Sequence, residues 1–165
     1  MKKILPLLLS LIILLSACAN SKPKISAVTT GISFEAQVTH QKEIRNYKVV
    51  INKNGDTKII EQLEKDEIMY HFSGDFLEIS YQNLTHKTEI SSISNNIILD
   101  FLYSVFLTAG ENKNYVYYED STYYLKAKNS KYDFLMTLGQ SGLPLNVKEN
   151  NFSINAQFTK MALLN

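Results

Sequence analysis

The chain has 165 residues, with 17 Lys and Arg against 16 Asp and Glu and a formal net charge of +1, and beyond Lys2 and Lys3 its lysines are scattered singly. A near-neutral chain without a basic patch lacks the electrostatic footprint of a nucleic-acid binder. The single cysteine excludes a disulfide within the chain and any cluster of thiolate metal ligands.

Residues 1–17 read as a secretion signal, with Lys2 and Lys3 as the positive start, an apolar run from Ile4 to Leu15, and small residues at its end. Pro6 and Ser10 interrupt the run, and it is shorter than the roughly 20 apolar residues of a membrane span. Leu15-Ser16-Ala17-Cys18 resembles the lipobox of bacterial lipoproteins. That resemblance implies cleavage before Cys18 and a diacylglyceryl thioether on its sulfur. It also implies a chain anchored by lipid, palmitate-like in its acyl chains, at the extracytoplasmic face of the cell membrane. Taking Lys2 and Lys3 from the 17 basic residues leaves 15 against 16 acidic ones, a mature net charge near −1. Residues 18–31 are short and polar, contain Pro23, and read as a tether; residues 32–165 then form one domain of ordinary size.

From Ile32 the apolar residues recur at a period of two, with Phe34, Ala36 and Val38 alternating with Glu35, Gln37 and Thr39, as in a strand with one wet face. Comparable runs at 44–52, 57–63, 67–72, 76–82 and 84–90 are separated by turn signals such as Asn54-Gly55-Asp56 and Ser73-Gly74-Asp75, which predicts an antiparallel meander. Period two stops at Ser94. From there to Ala109, Ile97, Ile98, Phe101, Leu102, Val105 and Phe106 fall on one face of a helix. Ser94 or Asn95 is the expected cap, and Gly110 in a left-handed conformation the expected end. Strand patterns resume at 115–119, 123–128, 132–139, 145–149 and 152–158, the last placing Phe152, Ile154, Ala156 and Phe158 on one face. About eleven strands and one helix make a mainly β (α+β) domain. So many antiparallel strands are expected to curl into a curved sheet or half-barrel with the helix on its concave side.

Enzyme chemistry has little to stand on. The chain contains no G-x-S-x-G, no H-E-x-x-H and no phosphate-cradling glycine loop. His40, His71 and His86 fall on different strands, so no metal site and no cofactor are expected. The carboxylate neighbours Asp66 and Glu67, and Glu119 and Asp120, fall in turns and read as solvated. Tyr115, Tyr117, Tyr118, Tyr123, Tyr124 and Tyr132 crowd into eighteen residues, as in a hairpin turning at Glu119 to Thr122 with cross-strand aromatic pairs. A platform for a sugar or a protein is the functional alternative, with Tyr118 and Tyr124 as its expected exposed pair.

The string SFEAQVTH at 33–40, the pair EIMYHFSGDFLEISYQN, the helix after the sixth strand, and Gly142-Leu143-Pro144-Leu145 followed by NNFSINAQF resemble the LolA/LolB-like lipoprotein carrier superfamily. The resemblance covers roughly residues 32–160 and implies a half-barrel of about eleven strands with a helical lid over an interior that accepts acyl chains. Three features depart from that pattern: only the short tether stands before Ile32, where the family usually has a helix beside the first strand; there is no tryptophan; and Arg45, the only arginine, lies early in the second strand. The function expected is therefore a non-enzymatic envelope lipoprotein holding a lipid or other apolar ligand between sheet and helix. Phe34, Tyr47, Phe72, Phe101, Leu102, Val105 and Phe106 are its expected lining. The alternative is an accessory protein, a helper in germination or of a cell-wall enzyme for example, that binds a protein partner and no small ligand. In that case an interior filled by its own side chains is expected.

Overall fold

Alternation of apolar and polar residues at period two sends every second side chain to the same face of a sheet, and the burial of β1 (Ile32–His40) follows it residue by residue. The computed structural model describes residues 31–110 and 115–164, the side chains of Ser94 and Tyr115 aside. Cys18, the signal segment and the tether lie outside these residues. Ten further strands follow: β2 (Glu43–Ile51), β3 (Thr57–Gln62), β4 (Glu67–Ser73), β5 (Phe76–Tyr81), β6 (Leu84–Glu89), β7 (Tyr115–Glu119), β8 (Thr122–Lys128), β9 (Asp133–Leu138), β10 (Pro144–Glu149) and β11 (Asn155–Leu163). They form one open antiparallel sheet in the order β6-β5-β4-β3-β2-β1-β11-β10-β9-β8-β7. Two meanders are thus joined along the β1–β11 ladder, and one helix, α1 (Ile97–Ala109), connects their far ends. An eleven-stranded open sheet with one covering helix is the half-barrel architecture that the resemblance implies.

Two-residue turns set the register of the hairpins. Gln41 and Lys42 both take positive φ (50° and 72°), as do Asp120 and Ser121 (46° and 63°), the backbone twist that matches right-twisted flanking strands. The second turn places Glu119 opposite Thr122, and so Tyr118 opposite Tyr123 and Tyr117 opposite Tyr124. Tyr118 and Tyr124 therefore point to opposite faces, and the expected exposed pair does not form. Tyr118 alone is largely exposed. The error is one of register: parity within each strand says nothing about which residues a turn sets face to face.

The helix begins later than its apolar pattern suggests. Ile90–Asn95 is a 3-10 turn, in which Ile90 and Ile93 eclipse at i and i+3 and both pack on the core. Asn96, not Ser94 or Asn95, caps α1: its backbone is non-helical and its Oδ1 accepts the Leu99 amide at 3.2 Å. Gly110 ends the helix in the right-handed region (φ −76°, ψ −9°), with its amide donating to Phe106 and Leu107, so no left-handed cap is used.

The last strand also starts later, at Asn155. The Glu149 carboxylate, 1% exposed, accepts the amides of Asp133 (3.3 Å), Asn151 (2.9 Å) and Phe152 (2.6 Å), which winds residues 150–154 into a turn. Phe152 leaves the strand face and packs edge-on against Tyr132. Glu149→Ala is expected to cost about 2–4 kcal/mol in urea unfolding, since three amides lose a charged acceptor in a buried place. Glu149→Gln, which keeps one carbonyl acceptor, is expected to cost less.

Candidate functional site

The face of the sheet under α1 is built from the even members of β1 and their cross-strand partners, and it meets a helix that turns almost all of its apolar groups inward. Phe101, Leu102, Val105 and Phe106 are fully buried. Phe106 sits 4.7 Å from Phe34 and 5.4 Å from Phe158, ring centre to ring centre, and Phe34 and Phe158 meet edge-on at 5.2 Å. Phe72 stacks on Tyr103 of the helix at 4.4 Å, and Phe101 meets Tyr132 and Phe134 edge-on. All seven residues expected to line a cavity share this inner side. Phe34 is the most exposed of them, at 3%. The space between sheet and helix is occupied by their own side chains.

Polar ties between α1 and the sheet lie at its ends. Asp100 accepts from the Tyr132 hydroxyl at 2.7 Å and pairs with Lys131, and Thr108 accepts from Asn129 Nδ2 at 2.9 Å. Contacts along the middle of the helix are apolar and without direction.

Tyr47 belongs to a second, polar group on the same face. The Glu61 carboxylate, 5% exposed, accepts from Arg45 Nη1 at 3.1 Å, from the Tyr70 hydroxyl at 3.3 Å and from the Tyr47 hydroxyl at 3.5 Å. Burial, and then the Glu61 charge, raise both phenols above their ordinary range, Tyr70 to about 12. Arg45, engaged by Glu43 and Glu61, is held protonated. No sequence signal marks this cluster, because its members come from three strands and only the ladder pairing joins them.

The histidines stay apart. His71 pairs with Glu78 and His86 with Ile79, so they lie on opposite faces of the sheet. Among the described residues no three His, Cys, Asp or Glu side chains converge as metal ligands. Asp66 accepts from Tyr81 while Glu67 pairs with Lys48, so these neighbours serve separate partners.

Hollows open on the described surface largely away from the predicted lining. Two, of about 780 and 540 Å³, share Phe76, Glu89 and Ser91 at the β5–β6 edge beside the 3-10 turn. A third, of about 270 Å³, opens among Glu35, Gln37, Asn46, Gln62, Gln157 and Thr159, and of the seven predicted residues only Tyr47 borders it.

No protein-family model matches the sequence, and no curated protein matches it. Among solved structures the chain is similar to the Mycobacterium tuberculosis lipoprotein LppX, at 12% identity over 86% of this chain and 91% of that one, with a TM-score of 0.46. It is also similar to the LolA superfamily protein NE2245 of Nitrosomonas europaea, at 9% identity over 82% of this chain and 86% of that one, with a TM-score of 0.36. A structure of the Pseudomonas aeruginosa MucA/MucB complex matches at 13% identity over 84% of this chain, with a TM-score of 0.38, and the chain spans 54% of that protein.

Proposed function

We propose that the protein is a non-enzymatic binding module of the cell envelope, anchored through lipid on Cys18 at the extracytoplasmic face of the membrane, that engages a protein partner through its exposed sheet. The observation that supports this is the closed inner side: the seven residues that would line a ligand cavity all turn inward, none above 3% exposure, with Phe34 against Phe106 and Phe72 against Tyr103 of α1. Recognition then falls to the outside. One of the two edges of the sheet is β6, exposed along nearly its whole length; it carries Leu84 (74% exposed), and Phe76 and Tyr81 stand on the neighbouring β5. An unpaired strand edge with apolar side chains beside it is a template for an extended segment of another chain.

A second reading has its own support in the apolar, non-directional contact along the middle of α1. An acyl chain can replace contacts of that kind, with Phe34, Tyr47, Phe72, Phe101, Leu102, Val105 and Phe106 as its lining once the helix lifts. Native mass spectrometry of the mature protein, released gently from membranes, separates the two. Under the partner reading the mass is that of the chain with its own anchor, and added phospholipid is not taken up. Leu84→Asp then weakens partner capture while leaving stability within about 0.5 kcal/mol, as befits an exposed site. A second, stoichiometric lipid that lowers the amide-exchange protection of α1 overturns the partner reading in favour of the acyl ligand.

A further inference from the structure

On the outer face of the sheet the ladder registers bring together a row of side chains that are far apart in sequence. Gln62 stands opposite Asn46, Asn46 opposite Gln37, Gln37 opposite Gln157, and Gln157 opposite Asn146. The row continues through Thr137 to Tyr124 and Tyr117. Eight uncharged polar side chains thus cross eight consecutive strands from β3 to β7, five of them carboxamides in succession. Strand spacing of about 4.8 Å makes the row roughly 34 Å long.

Charged side chains are the ordinary tenants of a wet sheet face, and in this fold they stand beside the row. Lys48 and Glu35 flank it on one side and Lys148 and Lys126 on the other. A ladder of amides bonded to one another would be structural. Here only Gln37 Nε2 donates to Asn46 Oδ1, at 3.4 Å, and Thr137 Oγ1 donates to Asn146 Oδ1 at 3.0 Å. Gln62 and Gln157 hydrogen bond through their side chains to no described residue. The hollow of about 270 Å³ opens where Gln37, Asn46, Gln62 and Gln157 meet. At the far end Tyr117 and Tyr124 stack at 5.4 Å with their planes 25° apart.

We propose that this row is a binding surface for a neutral, extended glycan chain rich in hydroxyl and acetamido groups. Each carboxamide both donates and accepts, as a hydroxyl does, and none brings a charge that a neutral sugar would have to desolvate. Amides repeat once per strand, a spacing close to the length of one sugar ring in an extended chain, so successive rings meet successive side chains. The tyrosine pair supplies apolar ring faces and hydroxyl tips of the kind that pack on the C–H face of a sugar. The row lies apart from the β6 edge and on the face opposite the acyl lining, of which only Tyr47 borders the hollow, so it stands or falls apart from the partner and acyl readings.

The test uses the mature protein in detergent, titrated calorimetrically with chitohexaose and co-sedimented with insoluble chitin. Saturable binding is expected. Tyr117→Ala combined with Tyr124→Ala is expected to weaken it at least ~10-fold, the scale of two lost aromatic contacts. Gln157→Ala combined with Gln62→Ala, on the sheet surface and away from the core, is expected to weaken it with unchanged thermal unfolding. Leu84→Asp at the β6 edge is expected to leave it unchanged. Wild-type protein that takes neither probe overturns the proposal, whatever protein it captures, and so does binding that both double variants retain.

Discussion

Phe106→Ala is expected to lower the unfolding free energy by about 3–5 kcal/mol, the cost of truncating a fully buried aromatic side chain that cannot be refilled. Phe106 is 0% exposed and touches Phe34 and Phe158, one on each of the two strands that join the meanders. Its ring is therefore the point where α1 holds both halves of the sheet. Domains of this size are stable by only about 5–15 kcal/mol, so a single truncation removes a large share. Thermal unfolding by circular dichroism is expected to show a midpoint lowered by about 10–20 °C. Phe106→Leu, which fills most of the volume, is expected to cost much less. A loss below about 1 kcal/mol for the alanine variant would mean that the interior collapses easily or already has room, and would favour the acyl reading over the packed one.

The strands were legible because each half-buried strand writes its own period into the sequence. Ile32, Phe34, Ala36 and Val38 on β1, and Phe134, Met136 and Leu138 on β9, are buried as their alternation requires. The seven expected lining residues were legible to the same degree: all turn inward. Whether they surround a space or fill it depends on the fit of Phe106 between Phe34 and Phe158, and no periodicity encodes that fit. Boundaries went astray where a side chain acts over a distance. Asn96 caps α1 because the 3-10 turn before it buries Ile93, and β11 starts late because Glu149 gathers the amides of Asn151 and Phe152. The amide row was invisible for a further reason. Gln62, Asn46, Gln37, Gln157 and Asn146 become neighbours only through four successive ladder registers, including the β1–β11 pairing between the two ends of the domain.

Alkaline unfolding is the other large effect to expect, and three buried phenols set it. Burial is the main cause that raises Tyr47, Tyr70 and Tyr132 above the ordinary phenol range. The Glu61 charge adds to it for the first two, and the hydrogen bond to Asp100 for Tyr132. In the unfolded chain a tyrosine ionises near pH 10. Below that pH both states hold the phenolic protons and stability does not change on their account. Above it the unfolded state sheds protons that the folded state keeps, so each buried tyrosine withdraws about 1.4 kcal/mol per pH unit until its folded counterpart ionises too. For Tyr70 that window runs from about 10 to about 12. Three such groups together give a fall of about 4 kcal/mol per unit, enough to unfold a domain of ordinary stability within two or three units. Urea unfolding measured at successive pH values is expected to be level up to about pH 9.5 and steep above 10 as far as these groups are concerned. Tyr70→Phe is expected to remove one proton from the slope while losing its bond to Glu61, giving a protein weaker at neutral pH and less sensitive to base. A wild-type slope no steeper than one proton between pH 10 and 12 would show that these phenols reach water in the folded state, and that the inner face is open where Tyr47, Glu61 and Tyr70 meet.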